Sequence, residues 1–293
     1  MPTLNDIQRQ ISAVKKTRQI TRAMHMVAAS KLRGAQTRME GFEPYAMKFR
    51  EVLGNLASRI EPDIHPLLVK REKVSRIALL HLTSDRGLCG GFNANLINKG
   101  ESFIKNMKDE SKATNLTIVG KKGNDYFRKR DYNITESYIQ IYDQVDISFI
   151  NKMTKGFIDY YLANEVDEVY MMYSSFINMG KQIPTLTKLV PVEPPKTKED
   201  PSASGSAEYL YEPDPGDLLI ELLPKHISVQ ILNAFLQNET SEHAARMASM
   251  DNASKNCNDL IDSLTLIFNK ARQAAITADL MDIVGGAEAL KKA

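Results

Sequence analysis

The sequence predicts a mixed α/β chain. Its two ends form long helices that pair as an antiparallel coiled coil, with an α/β domain inserted between them. Three observations carry this prediction. Apolar residues recur at alternating spacings of three and four near the N-terminus. The stretch from Lys225 to Val284 holds neither Gly nor Pro. Between the two, strand-like apolar runs alternate with helical segments.

The N-terminal seam is Leu4, Ile7, Ile11, Val14, Arg18, Thr21, His25, Ala28, Leu32, Ala35, Met39 and Phe42, the spacing of a coiled-coil heptad. Its apolar character lapses at Arg18, Thr21 and His25, where the neighbouring stripe Ile20, Met24 and Val27 is expected to take over. Such a drift changes the buried face and the local supercoil. At the other end Ala253, Cys257, Leu260, Leu264, Ile267, Ala271, Ala274, Ala278 and Met281 repeat the pattern. The uninterrupted helix would reach roughly 90 Å at 1.5 Å per residue, and Gly285-Gly286 is expected to end it as a C-cap. A helix this long must bury its stripe on a partner. With one stripe at each end, an antiparallel return is the simplest solution.

The middle reads as strand (Arg76 to Thr83), Gly-rich turn, helix (about Asn93 to Met107), strand (Leu116 to Val119), helix (Lys122 to Arg130), edge strand (Asn133 to Tyr138), helix (Ile147 to Leu162), strand (Glu168 to Tyr173) and strand (Thr185 to Val192). This alternation predicts a largely parallel sheet. Residues 193–217 are rich in Pro, Ser, Gly and acids, a flexible surface loop, with Tyr209-Leu210-Tyr211 as a short strand before the last helix. The resulting domains are 1–60 with 218–293 for the paired helices and 73–213 for the α/β domain, its loop at about 193–207.

Composition narrows the function. The chain has 293 residues, 43% hydrophobic and 25% charged, with net charge +2. A sizeable core fits, and the balance favours neither nucleic acid nor a membrane surface. Charge is uneven: Arg9, Lys15, Lys16, Arg18, Arg22, Lys31, Arg33 and Arg38 face only Asp6 and Glu40 within residues 1–40. Without interleaved aromatics, this basic face reads as solvated or partner-facing rather than nucleic-acid binding. A basic amphipathic start also suits a transit peptide, but the pattern runs well past any cleavage point and reads as mature structure. No apolar run approaches the roughly 20 residues a membrane span needs.

One motif suggests chemistry, Ser84 to Asn93 (SDRGLCGGFN), between a strand and a helix. A Gly-rich turn at a helix N-terminus can hold phosphate. Gly87, Gly90 and Gly91 do not give GxGxxG, and no Gly-Lys-Ser/Thr follows. A tight turn that needs small residues competes with that reading and outweighs it. Cys89 and Cys257 lie far apart without metal-ligand spacing, which suits a reducing compartment, and Cys89 reads as structural. His25, His65, His81, His226 and His243 are scattered. Met24, Met26, Met247 and Met250 fit either a gap-filling core or an adaptable contact surface.

Thr21 to Gln36 (TRAMHMVAASKLRGAQ), Ser84 to Asn93, and Ala244 to Leu290 together resemble one family, the gamma subunit of F-type ATP synthases. The matches fall in the family's order at both termini and the centre, and Tyr209 to Pro215 (YLYEPDP) is also similar. The resemblance implies a rotary shaft whose coiled coil sits inside a ring of alpha and beta subunits. Its Rossmann-like domain would form, with the epsilon subunit, a foot on the membrane-embedded c ring. It implies no catalytic residue, no cofactor, no metal, no nucleic acid and no direct membrane insertion. By resemblance Met24 faces a beta-subunit loop and Arg246 supports coupling. Arg272, Gln273 and Thr277 meet the catch loops of the beta subunits, and Asp282 stands where the family often has Glu. Tyr209, Tyr211 and Glu212 lie near the epsilon subunit and c ring. The chloroplast-type regulatory insertion is not evident, which implies a bacterial enzyme at the cytoplasmic face of the inner membrane.

Overall fold

The computed structural model describes residues 3–57, 65–193 and 215–291. The long helices are α1 (Leu4–Ala57) and α5 (Pro215–Lys291). Between them run β1 (Arg76–Leu82), α2 (Phe92–Asp109), β2 (Ala113–Val119), α3 (Lys121–Arg128), β3 (Ile134–Tyr138), α4 (Ile147–Leu162), β4 (Glu168–Asn178) and β5 (Lys181–Val190). The chain divides into two compact units. One joins Met1–Ala29 to Met247–Ala293, and the other is Ser30–Arg246. The strand expected at Tyr209-Leu210-Tyr211 lies outside the described residues, as do residues 194–214 of the expected loop, while its last residues, 215–217, instead open α5.

In the first unit the two helix segments run antiparallel. Arg18 Nη1 donates to Asn258 Oδ1 at 3.0 Å, and His25, seven residues further along α1, stands near Asp251, seven residues earlier on α5. The N-terminus opens with a reciprocal cap. The Thr3 amide donates to Asp6 Oδ2 at 3.1 Å, and the Asp6 amide donates to Thr3 Oγ1 at 3.3 Å, satisfying donors that a helix start leaves open.

Two seam expectations need correction. The first seam does not hand over to Ile20 and Val27, which stand 60% and 59% exposed while Thr21 is 8% exposed. Thr21 is tolerated inside because its hydroxyl donates to the Arg18 carbonyl at 3.0 Å. Arg18 is half-buried and its guanidinium reaches Asn258 on the facing helix. On α5 the seam is displaced by one residue at alternate positions. Ile261 is buried, whereas Leu260 and Ile267 are about half exposed, and Phe268 and Ala275 are the more sheltered positions. Leu260/Ile261 and Ile267/Phe268 are both apolar pairs, so spacing alone admits either phase.

The glycines do not end α5, which continues to Lys291. A Cβ at Gly285 or Gly286 would meet nothing within 4 Å, and glycine weakens a helix without forbidding it. Alanine at each position is therefore expected to strengthen the local helix by about 0.5–1 kcal/mol. Slower amide exchange across 276–287 would register the change. Pro44 and Pro224 likewise lie inside the long helices.

The second unit is built on a five-stranded sheet of order β3-β2-β1-β4-β5. It is parallel except for β5, which pairs antiparallel with β4. Alternate side chains of β1 serve opposite faces. Ala78, Leu80 and Leu82 join a core with α4 (Ile150, Met153, Phe157) and with Leu219, Leu223, Ile227, Ile231 and Phe235 of α5. Leu79 faces the other core with Leu96, Ile104 and Phe127. Asp146 caps α4 by accepting from the Phe149 amide at 2.7 Å. Within this unit Arg38 of α1 pairs with Glu239 of α5 at 2.6 Å, and Phe49 stacks on His226. That order again runs antiparallel.

Candidate functional site

The chain leaves β1, builds β2 and β3 on one side, and returns through α4 to place β4 on the other. Strand order therefore reverses between β1 and β4, and ligands of open α/β sheets sit in the crevice beyond the carboxyl ends at such a point. Here residues 238–246 of α5 fill that crevice. The β1 ladder stops at His81↔Met172. On the opposite side of β4, Ser174 faces Pro184 of β5, which has no N–H to give. The amide of Ser174 donates to Asn238 Oδ1 at 3.1 Å, and its carbonyl accepts from Ser241 Oγ at 3.1 Å. Asn238 Nδ2 donates to the Tyr142 hydroxyl at 2.9 Å, which donates in turn to the Thr83 carbonyl at 2.7 Å. Burial pushes the Tyr142 hydroxyl well above its ordinary range, so it stays a neutral donor and acceptor.

One turn further along, Arg246 caps the Gly-rich loop. Its Nε donates to the Gly87 carbonyl and its Nη2 to the Arg86 carbonyl, both at 3.3 Å. The same guanidinium pairs with Glu242 at 2.7 Å, both side chains 9% exposed. Burial raises the Glu242 carboxyl pKa, and Arg246 is the main opposing influence. Glu239, His243 and Asp85 complete the charged neighbourhood.

The loop folds on itself. Asn93 Nδ2 donates to Ser84 Oγ at 2.8 Å, Ser84 Oγ donates to the Arg86 carbonyl at 2.7 Å, and the Ser84 amide donates to Asn93 Oδ1 at 3.0 Å. Leu88 and Gly90 take left-handed conformations, φ 62° and 57°. Cys89 is buried, and burial pushes its thiol pKa up. It is therefore less a thiolate than an ordinary cysteine, the reverse of an activated nucleophile. This motif positions a loop under α5, in keeping with the tight-turn reading. No group of His, Cys, Asp or Glu among the described residues is arranged to hold a metal.

The remaining sequence-derived positions are distributed as follows. Met24 is half-buried, while Arg272, Gln273, Thr277 and Asp282 are exposed along α5. Gln273 and Thr277 are four apart and share a face, and Thr277 Oγ1 donates back to the Gln273 carbonyl at 2.9 Å. Arg246 stands apart from this group, buried in the crevice. Tyr209, Tyr211 and Glu212 lie outside the described residues. Sequence reading missed Asn238, Ser241, Glu242 and Tyr142. A signal was present: Asn238 to His243 (NETSEH) is a polar run inside an otherwise amphipathic helix, with no apolar face to dock unless its polar atoms are themselves buried and paired.

Comparison with known proteins extends over the whole chain. A family model described as ATP synthase matches residues 3–290. The ATP synthase gamma chain of Nitratidesulfovibrio vulgaris (strain Miyazaki F) is 49% identical, covering 99% of this chain and 100% of that relative. That of Desulfosudis oleivorans is likewise 49% identical over 99% and 100%. Among solved structures, a chain of the Euglena gracilis mitochondrial ATP synthase (OSCP/F1/c-ring, rotational state 3) aligns with TM-score 0.67 at 20% identity, covering 98% of this chain and 94% of that one. A chain of the Tetrahymena thermophila central stalk/c-ring structure aligns with TM-score 0.58 at 22% identity, over 80% and 99%. The structural likenesses establish the shared fold, and near 50% identity along the full length of bacterial relatives establishes descent: the chain belongs to the ATP synthase gamma chain family.

Proposed function

We infer that the chain is the central rotary shaft of an ATP synthase. It couples ion flow through the membrane c ring to ATP synthesis or hydrolysis at the beta subunits, and is itself non-catalytic. Full-length identity to bacterial gamma chains carries this reading. The crevice supports the non-catalytic part, because the place where an α/β sheet would seat a nucleotide is taken by Asn238, Ser241 and Arg246 of the same chain.

Rotation biases a beta subunit only through contacts that differ between its states. Met24, Arg272, Gln273, Thr277 and Asp282 are assigned to those contacts, and Tyr209, Tyr211 and Glu212 to the epsilon subunit and c ring. Arg246 is assigned to coupling, with its guanidinium acting on the Gly-rich loop. The exposed Ile276, Leu280, Met281, Ile283 and Val284 suit a bearing with few fixed hydrogen bonds. No helix among the described residues is long and apolar enough to cross a membrane. Attachment then runs through partners, at the cytoplasmic face of a bacterial inner membrane.

Reconstitution with alpha and beta subunits tests the reading. The chain should convert them into a complex with steady ATPase activity. Replacing Gln273 and Thr277 together by Ala should lower that activity about tenfold, the scale of two ordinary hydrogen bonds. Saturable ATP binding by the isolated full-length chain, with no effect on alpha and beta subunits, would overturn it in favour of a nucleotide-dependent enzyme.

A further inference from the structure

A long helix laid on a sheet through apolar contacts alone can slide or roll, because apolar contact is non-directional. Directional bonds at one level would fix the helix in angle and height. In the Ser30–Arg246 unit α5 has such a level. Asn238 is fully buried, and its two amide atoms reach two different strands, Ser174 on β4 directly and Thr83 at the end of β1 through Tyr142. Ser241 adds a second bond to the same residue of β4. Among the described residues, the stretch Leu219 to Phe235 below it reaches the domain's polar atoms through Ser228, whose hydroxyl donates to Thr154 of α4 at 3.0 Å, and shows no comparable set of bonds to the strands.

We propose that Asn238, bridged to β1 by Tyr142 and to β4 by the backbone of Ser174, is a positioning residue that locks the rotational angle of α5 against the sheet, so that torque entering the α/β domain passes into the shaft without slip. The proposal rests on the rotary reading above and names the place where load crosses from sheet to helix. Tyr142 reaches the crevice from the segment between β3 and α4, so the lock ties three separate stretches of chain to α5. A rolled helix would leave the amide and carbonyl of Ser174 and the side-chain amide of Asn238 without partners in a water-poor crevice, which sets a stiff restoring force against rotation.

The test uses the assembled, membrane-reconstituted complex. Tyr142→Phe removes one hydroxyl and little else. It should hydrolyse ATP at the parent rate yet pump fewer ions per ATP, and the angular fluctuation of a stalled rotor should broaden when a bead is attached to the α/β domain. Amide exchange in peptides containing Ser174 should accelerate about five- to thirtyfold, the factor that loss of buried polar bonds carries. Asn238→Leu, matched in volume, should show the larger defect, and Asn238→Asp, which keeps an acceptor for Ser174, an intermediate one. If Asn238→Leu fails to assemble, Tyr142→Phe still decides. Faster exchange with parent pumping ratio and angular width would make the bonds merely structural and overturn the proposal, as would no change in any of the three. A parent complex that neither rotates nor pumps would instead sink the rotary reading.

Discussion

Arg246→Met is expected to destabilise the folded chain by about 3–5 kcal/mol at neutral pH, the usual cost of stranding one partner of a buried ion pair. Methionine approximates the length of the stem, so the loss is of charge and donors more than volume. Glu242 would remain in the crevice with its main favourable partner gone, and the carbonyls of Arg86 and Gly87 would lose their guanidinium donors. Adding Glu242→Leu should recover most of the loss, since replacing a whole buried pair by apolar groups is often close to neutral. A double-mutant cycle read by urea denaturation isolates the coupling. Two additive single effects would refute the pair's importance.

The same variant has a signed pH dependence. Burial already holds the folded Glu242 pKa above its ordinary value. The folded state then binds an extra proton between the unfolded and folded pKa values, and stability falls as pH rises through that window. Removing Arg246 pushes the folded value higher still and widens the window at its upper end. The deficit of Arg246→Met relative to the parent should therefore shrink as pH is lowered toward the ordinary carboxylate range. His243, Glu239 and Asp85 stand in the same neighbourhood, so the quantity to read is the difference between variant and parent.

Gly120→Ala is the second large effect. Gly120 joins β2 to α3 with φ +98°, and an added Cβ would lie 2.2 Å from the Thr83 carbonyl oxygen and 2.6 Å from its carbon. Backbone lies on the far side of that clash, so no side chain can swing away. The Thr83 amide donates to Val119 at 2.8 Å, and the Gly120 amide donates to Tyr138 at 2.8 Å. The ends of three strands would have to part together. An L-residue at this φ is strained before any clash is counted. The expected cost is above about 4 kcal/mol, in the range reserved for a few mechanisms of failure. Soluble yield and thermal melting would report it. A melt close to the parent would mean that the crevice backbone is far more pliant than the hydrogen bonds imply.

The α/β core was legible because apolar runs such as RIALLHLT are too short for a buried helix and end at turn residues, which suits a strand buried on both faces. The α1 seam was legible because most of its positions carry a single apolar choice. Where sequence reading erred, the pattern was degenerate. Leu260 and Ile261 are equally apolar, and only the facing helix decides which turns inward. Ile20 and Val27 look like better seam residues than Thr21 and Arg18, yet the hydroxyl of Thr21 finds its acceptor within its own helix. The crevice was hidden for a different reason. Polar helix residues are mostly surface residues, and nothing local in Asn238 or Ser241 reveals that strand ends wait opposite them.

The insertion of the sheet between the two long helices also sets an order of synthesis. By the time Val190 has been made, all five strands exist. Their α5-facing side still lacks Leu219 to Phe235, and the gap between β1 and β4 lacks Asn238 and Ser241. At typical elongation rates the 45 residues from Val190 to Phe235 take about 2–9 s. For that interval the nascent sheet presents an uncovered apolar face with open main-chain groups at its centre. A ribosome-bound chain paused there should be a strong client for chaperones that shield hydrophobic surface. Faster translation across 191–235 should shorten that exposure and raise the soluble yield.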